Sequence, residues 1–213
     1  MINVIRILLG AFTAFFTFNY VKDVSKAKAK NEFEDIPAIK SAATGFVTDF
    51  FDTLGIGSFA PTVAMFNALK MNISDRLIPG TLNVCHTIPV VLEAFIFTTV
   101  IEVDPLTLIS LIAAAVVGSY LGAGIISKMD ERKIQIIMGL ALAVTAVLML
   151  LAQLGLMPGG GVATGLTGAK LVIGIIGNFI LGALMTAGVG LYSPCMAMVY
   201  FLGMSPDVAF PIM

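Results

Sequence analysis

Residues 53–61 read TLGIGSFAP, and residues 186–194 read TAGVGLYSP. Each places Gly-x-Gly-x-x-x-Pro in the middle of an apolar run. Glycine admits backbone angles closed to other residues and lets chains approach closely. Proline suits the first turn of a new helix, where its missing N–H is not needed. The pattern therefore predicts a helix that stops, turns and restarts at Gly55, Gly57, Ser58 and Pro61, and again at Gly188, Gly190, Ser193 and Pro194. Helix starts expose N–H groups with partial positive charge, a setting that binds anions. The same residues also fit plain close packing, since Gly and Pro are frequent in membrane helices. A nucleotide-binding fingerprint does not fit, because no strand precedes the motif and the third glycine is missing.

The likeness extends beyond the motif. At a constant offset (188 − 55 = 133), residues 46–71 and 179–204 share nine identities over 26 positions, where roughly two are expected from so narrow an alphabet. Three predicted helices, 77–100, 106–126 and 134–156, separate the copies. An odd number of crossings turns the second copy upside down. Inverted repeats with broken helices near the midplane are a transporter architecture.

Composition agrees. The 213 residues are 58% hydrophobic and 12% charged, with mean hydropathy +1.01. A soluble domain carries about twice that charged fraction. Long runs have no charge at all, among them Leu106 to Ser127 and Leu171 to Pro206, and a spanning helix needs about 20 apolar residues. The expected fold class is an all-α integral membrane protein. The predicted bundle holds two inverted repeats with discontinuous or re-entrant helices, and it is multi-pass in the cell membrane with the lipid bilayer as its solvent. The net charge of −1 offers no basic field for nucleic acid. The first apolar stretch, Ile2 to Tyr20, reads as a retained span rather than a cleaved signal, since no basic cluster precedes it. The remaining predicted helices are 38–54, 60–70, 169–187 and 192–203, with MPGGGVATGLTG (157–168) as a flexible loop.

Lys22, Lys26, Lys28, Lys30 and Lys40 fill a linker at 21–40, and Lys128, Arg132 and Lys133 fill another. Basic residues favour the cytoplasmic side, which also places Lys70 and Arg76 inside. Residues 41–69 must then enter and leave on one face, being too short for two full spans. A re-entrant hairpin with its tip at Gly55–Pro61 fits. The organisation expected is an N-terminal span and cytoplasmic linker (1–40), a first repeat (41–133) and a second repeat (134–213). The second is expected to be truncated, because Pro211 aligns with Pro79 after a one-residue gap.

Polar residues inside apolar spans cost about 2.5–3.5 kcal/mol when charged. Asp49 and Asp52 lie one turn apart before the first break. There they can hold a coupling proton or cation, or be solvated at the tip of the hairpin. In GTLNVCHTIPVVLEAF (80–95), Asn83, His86 and Glu93 follow helical spacing onto one face, and Pro89 frees the carbonyl of Cys85. His86, the one histidine, can serve an anion, relay a proton or tie two helices together. Glu93 is the stronger proton-site candidate. Cys195 follows Pro194 in the first turn of a predicted half-helix, where the local field favours a thiolate, though free Cys is commonly a small buried hydrophobe.

At these residues the chain resembles the sulfite exporter TauE/SafE family of membrane permeases. The resemblance rests on the doubled GIGSFAP and GVGLYSP, on VVGSYLGAGIISKMDERKIQIIMGLAL (116–142) and on GNFILGALMTAGVGLYSP (177–194). It runs from about Gly45, with 2–20 and the linker less typical. It implies export or uptake of small anions, sulfite or organosulfonates, without a cofactor. Where many members read Gly-Gly-Gly, this chain has Gly57-Ser58-Phe59 and Gly190-Leu191-Tyr192.

The leading expectation is a secondary transporter that holds a small anion between the two half-helix starts, near Ser58, Ser193, Asn83 and His86. Asp49, Asp52 or Glu93 would carry the coupling proton or cation. A transition-metal permease built on His86, Cys85 and Cys195 is the alternative, although adjacent Cys85 and His86 point about 100° apart. A membrane enzyme with Ser58 or Cys195 as nucleophile has His86 as its only obvious base and no Gly-x-Ser-x-Gly motif.

Overall fold

A computed structural model describes residues 2–33, 36–156 and 161–213. The described residues form helices joined by short turns, with one isolated bridge between Ala163 and Met204. In chain order they are α1 (Ile2–Lys30), α2 (Ala38–Asp52), α3 (Phe59–Ala68), α4 (Ile78–Cys85), α5 (Thr87–Val100) and α6 (Pro105–Ile126). Then come α7 (Glu131–Gln153), α8 (Gly168–Met185), α9 (Tyr192–Phe201) and, after a 3₁₀ turn, α10 (Ala209–Ile212).

Two sequence expectations need correcting. The Lys-rich stretch to residue 30 is helix, not linker, because Lys and Ala are good helix formers and no breaker intervenes. The helix ends where Asn31 takes φ 56° and the Asn31 and Glu32 N–H groups bond back to Lys28 and Ala27. The second correction concerns the helix expected over 77–100, which is two helices, α4 and α5, parted at His86. The stretch expected as a loop at 157–168 is irregular from 161 to 167, residues 157–160 lying outside the described residues, and hydrogen bonds hold it. Thr164 O accepts from Asp104 N–H (2.9 Å), Ala163 O from Ser205 N–H (3.0 Å), and Leu166 N–H donates to Thr107 Oγ1 (2.9 Å).

The outer surface is strongly apolar, and the interior holds polar groups beside its apolar core. Large apolar side chains such as Leu92, Ile96, Val116, Ile125 and Ile176 face outward, while Thr48, Asp52, Thr62, His86, Glu93 and Asn178 are buried. That distribution suits hydrocarbon as the solvent, where each polar group must be satisfied internally. By length and composition α1, α6 and α8 each suffice to cross a membrane, and α4 with α5 makes a fourth span bent by 45°.

The centre of the fold is the α6–α8 pair. Gly118, Gly122 and Gly182 let the two backbones touch: a Cβ at Gly122 would lie 2.8 Å from Ala183 Cα. Small residues at such positions are how membrane helices pack closely. Asn178 adds a buried hydrogen bond to Leu111 O (2.8 Å).

One helix pair, α2–α3, flanks this centre, and a second, α8–α9, shares α8 with it. In the first, α2 and α3 have their open ends together, where Lys40 Nζ donates to Leu69 O (2.8 Å). That end packs with Ile126 and Met129 beside the C-terminus of α6. The open end of the α8–α9 pair lies at the other end of α6, where Leu166 and Met204 join Val103 and Leu108.

Candidate functional site

Each pair is joined by a break of the kind the Gly-x-Gly spacing predicts. After Asp52 the chain closes α2 with bonds from Gly55 N–H to Asp52 O (2.8 Å) and from Ile56 N–H to Phe51 O (3.3 Å). This is the glycine-ended cap in which a left-handed residue lets the last carbonyls be satisfied. Gly55 takes φ +80° and Gly57 φ +86°, after which α3 starts at Phe59. The second copy repeats the bonds at the same offset: Gly188 N–H to Met185 O (2.9 Å) and Val189 N–H to Leu184 O (3.4 Å), with Gly188 at φ +88°. Gly190 is not among the left-handed glycines. The far ends of α3 and α9 match as well, where Met71 N–H reaches Phe66 O (2.9 Å) and Met204 N–H reaches Val199 O (3.0 Å).

The two breaks touch. A Cβ at Gly57 would sit 3.5 Å from Tyr192 Cβ, and one at Gly190 would sit 3.6 Å from Phe59 Cβ. Phe59 and Tyr192 are themselves equivalent positions (192 − 59 = 133), so the contacts are reciprocal.

Polar side chains gather at this crossing. His86 stands at the bend between α4 and α5, where Pro89 lacks the N–H that would have met Cys85 O. Its Nε2 lies 3.0 Å from Thr62 Oγ1, and its Nδ1 lies 2.5 Å from Asp49 Oδ1. An ionised carboxylate only accepts, so Nδ1 carries the proton there. The Phe59 ring covers the imidazole at 5.8 Å between centroids. Glu93, two turns further along α5, accepts from Tyr192 Oη at 3.0 Å. Asp52 is 1% exposed, and its Oδ1 is the one buried side-chain oxygen or nitrogen without a partner among the described residues. Its polar neighbours include Ser58, His86, Asp49, Glu93 and Tyr192.

Of the residues named from the sequence, the structure brings together Asp49, Asp52, Ser58, His86 and Glu93, with Gly57 and Gly190 behind them. Gly55, Pro61, Gly188 and Pro194 serve as backbone of the breaks. Asn83 does not share the face of His86 and Glu93, because the bend at His86 ends the helical register. It donates instead to Pro79 O (2.8 Å) and Met185 O (3.2 Å), which satisfies a carbonyl at the second break. Cys195 is fully buried in the α6–α9 core and points its Sγ at Asn178 Oδ1 (3.6 Å). Ser193 is half-buried on α9 and joins none of the hydrogen bonds of this cluster.

Thr62 and Tyr192 escape the sequence reading. The signal for Thr62 was its position: it follows Pro61 as Cys195 follows Pro194. Tyr192 opens the second half-helix where the first has Phe59. His86 bonds to Thr62 and Asp49 rather than to Ser58 or Cys195, so the base that a serine or cysteine nucleophile would need is otherwise engaged. Among the described residues no three His, Cys, Asp or Glu side chains are arranged to hold a metal ion, and Cys85 is exposed while Cys195 is buried.

The family model described as Sulfite exporter TauE/SafE matches residues 2–149. The chain belongs to this family. TauE/SafE proteins are membrane transporters, and the apolar helices fit that class. The match includes residues 2–40, which the motif resemblance treats as less typical, and it ends before the second motif at 177–194. No curated protein and no solved structure matches the chain.

Proposed function

We propose that this TauE/SafE protein is a multi-pass secondary transporter of the cell membrane that moves a small anion of the sulfite or organosulfonate class against a flow of protons. The carrying observation is the buried polar cluster at the point where two glycine breaks meet. Two buried carboxyls, Asp52 and Glu93, and a buried imidazole lie together with a third, half-buried carboxyl, Asp49. Charging all three carboxyls there with a single cationic partner would be costly, so bound protons must offset them. That makes the proton the coupling ion and Asp49, Asp52 and Glu93 its carriers. The substrate anion lies between the starts of α3 and α9, where free N–H groups supply partial positive charge.

In this reading 41–133 and 134–213 are inverted repeats and the α2–α3 and α8–α9 pairs are re-entrant hairpins. Support comes from the matched backbone bonds of the two breaks, from their reciprocal contacts and from open ends at opposite ends of α6. Access alternates when one hairpin rocks against the other about the crossing. Tyr192, on the second hairpin, is bonded to Glu93, on the first repeat, so a change of charge on Glu93 is felt by both.

The test is transport by the purified chain in liposomes. Sulfite and a short alkanesulfonate should move when a pH gradient is imposed and stop when a protonophore collapses it. An imposed sodium gradient should have no effect. Failure of both anions to move under the pH gradient, or movement driven by sodium instead, would sink the proposal.

A further inference from the structure

A second polar feature lies beside the first residue of the second break. Between the start of α4 and the end of α6 is a cleft of about 230 Å³ lined by Arg76, Pro79, Gly80, Ser127, Ile134 and Thr186, among others. Arg76 is the only charged side chain in the lining. Its neighbour Asp75 is occupied, accepting from Gln135 Nε2 at 2.6 Å, and Arg76 forms no ion pair among the described residues. Thr186 and Ser127 bring hydroxyls that now donate to their own helices, to Ala183 O (2.7 Å) and Gly124 O (3.3 Å). A hydroxyl turns at little cost toward a stronger acceptor. Pro79 has no N–H, and the Gly80 N–H has no backbone acceptor among the described residues. A Cβ at Gly80 would meet nothing within 4 Å.

We infer that this cleft is an oxyanion-binding site at the cytoplasmic mouth of the transport path. A guanidinium presents a planar fork of donors matched to sulfite, sulfonate or carboxylate oxygens. The site is small beside the pockets that hold drug-sized ligands, which suits an anion with at most a short organic tail. Thr186 is the first residue of the second break, so an anion held by Arg76 sits beside the backbone that turns at Gly188. The cleft also resolves an electrostatic difficulty at the crossing. With three carboxyls there, an anion needs a cationic site to gather it before protons arrive. The cytoplasmic assignment and the transport role rest on the transporter reading; binding itself does not.

Full-length protein in nanodiscs, titrated calorimetrically with sulfite and with methanesulfonate, tests the site. The Arg76→Gln variant should weaken binding at least 10-fold, and Arg76→Lys should restore part of it. Gly80→Leu places a side chain into the cleft from a position where a Cβ meets nothing within 4 Å and keeps the guanidinium, so it should weaken binding with little change in melting temperature. Equal affinity in the native chain, Arg76→Gln and Gly80→Leu would overturn the inference, as would an affinity loss in Arg76→Gln matched by a fall in melting temperature and absent from Gly80→Leu. If the native chain binds at Arg76 but moves no anion in liposomes, the site stands and the transporter reading falls.

Discussion

Gly57 of the first break lies directly against Tyr192 of the second, with 3.5 Å between the position of an added Cβ and Tyr192 Cβ. The reverse contact, Gly190 against Phe59, has nearly the same spacing, yet the two glycines differ in backbone. Gly57 is left-handed at φ +86°, and Gly190 is not. Left-handed geometry costs a residue with a Cβ about 1–2 kcal/mol. Gly57→Ala should therefore lower stability by about that amount, while Gly190→Ala should change it by less than about 0.5 kcal/mol. Thermal unfolding in detergent compares them. Equal losses would show that contact, rather than backbone angle, sets the requirement for glycine.

The His86 bonds supply a second test. His86→Leu leaves Asp49 and Thr62 facing an apolar side chain, and an unsatisfied buried polar group costs about 1–3 kcal/mol. The double variant His86→Leu/Asp49→Leu removes both ends of the pair and should recover part of the loss. A double variant less stable than either single would refute the pairing.

Glu93 and Tyr192 separate folding from coupling. Glu93→Gln still accepts from the Tyr192 hydroxyl but cannot exchange a proton. Its melting temperature should hold while gradient-driven uptake falls at least tenfold, about 1.4 kcal/mol in the rate-limiting barrier. Exchange of labelled for unlabelled anion without a gradient should persist. Uptake that still follows the pH gradient in Glu93→Gln would remove Glu93 from the coupling path.

At the mouth of the second pair, Asp104 caps α6. Its carboxylate accepts from the Thr107 N–H and hydroxyl, both at 2.9 Å, and the Thr107 backbone bond is the leading cause that holds its pKa below the ordinary value. A depressed folded value means stability that is present above the unfolded pKa of about 3.9 and lost as pH falls through the folded one. Melting temperature in the native chain should drop on acidification below about pH 4 more than in Asp104→Asn, which keeps a cap without the charge. Parallel curves for the two would exclude the contribution.

The close α6–α8 contact predicts the largest single effect on folding. A Cβ at Gly182 would overlap the Ala115 backbone, and backbone cannot give way as a flexible side chain can. Gly182→Ala should cost at least the 1–3 kcal/mol typical of overpacking, roughly. Gly139→Ala, which meets nothing within 4 Å, serves as the control.

Read alone, the chain determines its solvent and its punctuation. Uncharged runs of spanning length require hydrocarbon, and Gly55, Gly57, Gly188 and the two prolines mark the places where helices end and restart. Those properties are local: they depend on side-chain transfer and on a few backbone angles, and both are written in consecutive residues. Boundaries governed by propensity were less legible, as the helical Lys-rich segment to Lys30 shows. What needed the tertiary structure was which polar groups meet. Asn83 and His86 lie three residues apart yet serve different breaks, because a 45° bend separates them. Thr62 and Tyr192 carry no unusual chemistry and become part of the cluster only when distant helices bring them to His86 and Glu93. Contacts between residues 99 positions apart depend on how close α6 and α8 come, and that distance is set by glycines whose role is visible only across the interface.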